Sequence, residues 1–88
     1  MPPNVDPGIL RRTLTEIPGV VAVHDLHVWT LTSGLAAMSG HLVVDDMTRA
    51  GAALDAARKV LGEEFGITHT TIQIEDLAAA KAEDATHD

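Results

Sequence analysis

The chain has 88 residues, 45% of them hydrophobic but only 2% aromatic, which allows one small domain with an aliphatic core. The absence of cysteine excludes disulfides, thiolate zinc fingers and iron–sulfur clusters, leaving His, Asp and Glu to take any metal. Thirteen acids against six bases give −7, a balance that repels nucleic acid and attracts cations, and no apolar run nears the ~18 residues that cross a bilayer.

Asp6 followed by Pro7 is a helix start, an acidic N-cap and then a proline where a missing N–H costs nothing. Leu10, Leu14 and Ile17 form its apolar stripe, and Pro18-Gly19 ends it. Val20 to Leu31 is β-branched and aliphatic without Gly or Pro, which predicts a long strand. Thr32-Ser33-Gly34 supplies a turn, and Ala36 to Val44 returns as the second strand of an antiparallel hairpin. Asp45 and Asp46 end that strand and cap a second helix, whose stripe is Met47, Ala50, Leu54, Ala57, Leu61 and Phe65 and whose stop is Gly66. Ile67 to Glu75 has high strand propensity and completes the order helix, strand, strand, helix, strand. The Ala-rich, polar segment after Asp76 has no clean stripe, so residues 77–88 are expected to be a flexible tail.

Alternation along a strand sorts its side chains onto two faces, and the helices can cover only one. Leu26 and Val28, then Met38, Leu42 and Val44, then Ile72 and Ile74 form the face expected to meet the helices. The face left over gathers Asp25, His27, Trp29, Ser39, His41, Val43, His69, Thr71, Gln73 and Glu75, and a tryptophan among imidazoles there points to a partner surface. His24 has the wrong parity for this face, and so pairs poorly with His27 unless the strand bends or bulges.

A zinc site needs imidazole or carboxylate donors converging from several segments. The set that best meets this need is His24 in the first strand, His41 in the second, and His69 with Glu75 in the third. None of these spacings is a metal motif alone, and the competing reading is histidines that pack, cap or are solvated. Trp29 reads as core or interface rather than a recognition residue, and the pair Asp45 and Asp46 as a helix cap rather than a cation site.

Three stretches carry a family likeness: PGVVAVHDLHVWTLTSG over 18–34, SGHLVV over 39–44 and FGITHTTIQIE over 65–75. Together they resemble the cytoplasmic C-terminal domain of cation diffusion facilitator transporters, over nearly all of residues 6–76. The resemblance implies an α+β, ferredoxin-like or metallochaperone-like α-β-β-α-β two-layer sandwich. It further implies a V-shaped homodimer below a membrane domain, with divalent cations bound near the interface. Family ligand positions carry over to His24, His41 and Glu75, with His69 as a fourth. Some members have His and Asp in the last strand where this chain has Gln73 and Glu75, which leaves the ion count open.

On that likeness the chain is expected to be a regulatory domain of 6–76 with a tail of 77–88, not an enzyme, separated from the transmembrane domain of its own transporter and soluble alone. Its expected ion is Zn²⁺, with Mn²⁺, Fe²⁺, Co²⁺ or Cd²⁺ as substitutes that the donor set also accepts. Its expected place is the cytoplasmic face of a membrane, as a metal-sensing homodimer. The alternative is a ferredoxin-like small-ligand regulatory dimerisation module with structural histidines.

Overall fold

The computed structural model describes residues 5–31 and 34–79. Helix α1 (Pro7–Thr15) begins where Asp6 accepts a 2.8 Å hydrogen bond from the Gly8 N–H, and it buries Leu10 and Leu14 completely. Strand β1 (Val20–Thr30) pairs antiparallel with β2 (Ala36–Val44). Helix α2 (Ala50–Phe65) leads through Gly66, in the left-handed region at φ +68°, into β3 (Ile67–Asp76), which runs parallel to β2. The sheet order is β1-β2-β3, so β2 is central and receives neighbours on both edges. The expected element order is present, and the parallel pairing follows from α2 carrying the chain back across one face.

Both helices lie on that face. Leu10 and Leu14 of α1 and Ala53, Ala57 and Leu61 of α2 share one core with Val23, Met38, Leu42 and Val44. Leu26, Val28, Ile72 and Ile74 pack against it partly buried, and every buried core residue is aliphatic or methionine.

Two details differ from the sequence reading. Met47 was expected to open the second helical stripe, but Met47–Arg49 form a 3-10 turn and Met47 stays exposed. Three residues per turn in place of 3.6 put it out of phase with the helix behind it, so the buried stripe centres on Ala53, Ala57 and Leu61. The hairpin loop is five residues rather than three, since Thr30 pairs with Ala36; Leu31 donates to the Leu35 carbonyl at 2.6 Å and Gly34 takes φ +81°. An odd number of loop residues pairs positions of like parity across the hairpin, so the inner and outer faces keep their assignment. In the segment expected as a flexible tail, residues 77–79 form a helical turn and 80–88 lie outside the described residues.

Candidate metal centre

The sheet face opposite the helices carries the histidines, because of where β1 departs from regularity. His24 pairs with His41 but His27 pairs with Ser39, so Asp25 and Leu26 together stand opposite Gly40. That is a β-bulge, and the extra residue resets the alternation. In a regular strand two residues three apart point to opposite faces; here His24 and His27 both fall on the face of Ser39 and His41. The parity conflict at His24 is thereby resolved. Asp25 supplies the turn, with φ +52°.

Around His41 three side chains gather. Its Nδ1 lies 2.7 Å from Oε2 of Glu75 and 3.8 Å from Oδ2 of Asp25, the second longer than a hydrogen bond. Gln73 donates from Nε2 to the same Glu75 oxygen at 3.0 Å. The Glu75 side chain is only 10% exposed, His41 32% and Asp25 71%. His41 Nδ1 and Glu75 Oε2 thus face each other, and one cation displacing the proton between them would meet both donors. Beside it, Asp25, His27, Ser39, Gly40, His41, Thr71 and Gln73 line a shallow cleft of about 200 Å³.

Of the four sequence-chosen residues, His41 and Glu75 are in contact and His24 stands directly across from His41. His69 does not join them. It pairs with Ala37, four residues from His41 along β2 and therefore ~13 Å away, where it lines a separate cleft with Arg58 and Thr70. Among the described residues no three His, Asp or Glu side chains converge on the spacing of a metal ion. Sequence reasoning missed the amide of Gln73 as the partner of Glu75; the i, i+2 spacing on a strand was the signal available. Imidazole with carboxylate suits borderline divalent ions, so the donor chemistry of His41 and Glu75 fits the implied metal.

The family model described as the cytoplasmic domain of cation efflux proteins matches residues 2–77. The chain belongs to this cation efflux family. The metal-bound C-terminal domain of the CzcD transporter from Cupriavidus metallidurans is 39% identical, with a TM-score of 0.75 over 81% of this chain and 99% of that one. The whole CzcD protein is 36% identical over 88 residues, covering 99% of this chain and 28% of its own length. A cadmium, cobalt and zinc/H(+)-K(+) antiporter of Bacillus subtilis is 43% identical over 76 residues, covering 84% of this chain and 24% of its own. The chain thus spans about a quarter of the length of these relatives. Among its described residues, no helix is long and apolar enough to cross a membrane.

Proposed function

We propose that this cation efflux domain is a metal-sensing and dimerisation module on the cytoplasmic side of an efflux transporter, regulating transport through the transmembrane domain of the same protein. The observation that carries the reading is the His41–Glu75 pair, 2.7 Å apart on the sheet face opposite α1 and α2. His24, His41 and Glu75 come one each from β1, β2 and β3, so an ion held by them ties all three strands at one place. The favoured ion is Zn²⁺, which the donor set suits and which is named among the cations of the Bacillus relative; Mn²⁺, Fe²⁺, Co²⁺ and Cd²⁺ are accepted by the same donors. His69 lies too far along the sheet to join within one chain, and is proposed as a donor only across a protomer contact.

Two copies meeting through this face would place the ligands near the contact and cover Trp29, which is 46% exposed. Cation binding biases the transporter only to the extent that the paired and separated arrangements bind the ion differently, so donors at a moving contact are the effective ones. Calorimetric titration with Zn²⁺ tests the site: His41→Ala and Glu75→Ala each weaken binding tenfold or more, and parent-like titration of both variants contradicts the assignment. The competing reading, a small-ligand dimerisation module with structural histidines, is favoured by the absence of a three-donor cluster among the described residues. Under it, the parent protein takes up no zinc in the same titration.

A further inference from the structure

The sharpest irregularity of the backbone lies inside the candidate site. Asp25 is the one non-glycine residue at positive φ among the described residues, and it sits at the bulge where β1 gains a residue over β2. Left-handed backbone is open to Gly, tolerated by Asn and Asp, and strained for β-branched residues. Its carboxylate is largely exposed and stays 3.8 Å from His41, so its side chain makes no hydrogen bond to the site. On the other side of β1, the Arg11 guanidinium of α1 donates to the Val23 carbonyl, fixing the strand just before His24. Across the bulge, Gly40 leaves room for Leu26, whose Cδ1 would lie 3.4 Å from a Cβ built there.

We propose that Asp25 is a positioning residue: its left-handed backbone makes the β1 bulge, and the bulge puts His24 and His27 on the face of His41. A one-residue change of register moves every side chain beyond it to the opposite face. Without the bulge, a β1 held in register by Val28 and Met38 would turn His24 towards the helices and take one of three strands out of the site. This inference rests on the proposed zinc reading for its functional consequence, but not for its structural one.

The test compares Asp25→Gly, Asp25→Asn and Asp25→Val in the full chain, with zinc calorimetry and with nuclear Overhauser contacts between His24 and His41 in metal-free protein. Gly and Asn keep the left-handed backbone without the carboxylate; both are expected to retain the His24–His41 contact and to bind Zn²⁺ several-fold more tightly than the valine variant. Val is expected to lose the contact and to bind tenfold or more weakly. Should the valine variant not fold, Asp25→Ala replaces it, since Ala and Gly both lack the carboxylate and differ in tolerance of positive φ. The proposal is overturned if Gly and Asn lose affinity as far as Val does, which would make the carboxylate itself a ligand. It is equally overturned if the Val or Ala variant keeps the contact. A parent that shows the contact and takes up no zinc refutes the zinc reading alone.

Discussion

Glu75 is held from two sides, by the His41 ring and the Gln73 amide on a single oxygen, and it is the most sheltered of the three. The Gln73 amide keeps the Glu75 carboxylate oriented, and groups that orient a metal ligand typically carry ~10–100-fold in affinity. Gln73→Leu is therefore expected to weaken zinc binding about tenfold with an unchanged far-ultraviolet circular dichroism spectrum. Affinity equal to the parent would show that Glu75 needs no second partner. The face bearing His41, Gln73 and Glu75 was legible in the sequence, because β2 and β3 alternate regularly there. The position of His24 was legible only as a contradiction, since a bulge adds one residue without a compositional mark and only the pairing with Gly40 displays it. The separation of His69 from His41 was not legible, because it depends on the register of β3 against β2, which parity does not contain.

At the scale of elements, starts and stops were written in local chemistry. Asp6-Pro7 and Gly66 stand where expected, while the 3-10 entry to α2 was hidden because one acidic cap serves either helix type. That cap is Asp46, which accepts from the Thr48 hydroxyl at 2.7 Å and the Thr48 N–H at 3.0 Å. The hydroxyl bond first, then the backbone bond, hold its carboxyl below the ordinary 3.8. A carboxyl with a lowered folded-state pKa stabilises fully above its unfolded value and loses that contribution as pH falls through the folded one. The gap in melting temperature between parent and Asp46→Ala should thus be constant from neutral pH to about 3.8 and shrink below it. A gap independent of pH down to 2 would remove the carboxylate from the account. Under α2 the burial is complete at Leu61, and Leu61→Ala is expected to cost about 2–5 kcal/mol in denaturant titration. A loss under ~1 kcal/mol would mean the core closes around the gap.

Among the described residues the domain is a thin two-layer sandwich: α1 and α2 cover one face of the sheet, and the other carries the histidines beside the buried Ala37 and Val43. Its aromatic residues contribute little to the core: Trp29 is nearly half exposed and Phe65 only partly buried. A domain this small gains from association, and the proposed homodimer would bury the histidine-bearing face against its copy. With −7 on each protomer, repulsion opposes that contact. Sedimentation should then show dimerisation strengthening with added salt and with zinc, and a monomer at tens of micromolar under every condition would exclude it. The central claim is the place of the ion, and anomalous diffraction at the zinc edge from zinc-loaded crystals tests it most directly. The account predicts an anomalous peak ~2.0–2.2 Å from donor atoms of both His41 and Glu75. A peak beside His69 and Arg58 instead, or zinc confined to residues 80–88, would contradict it.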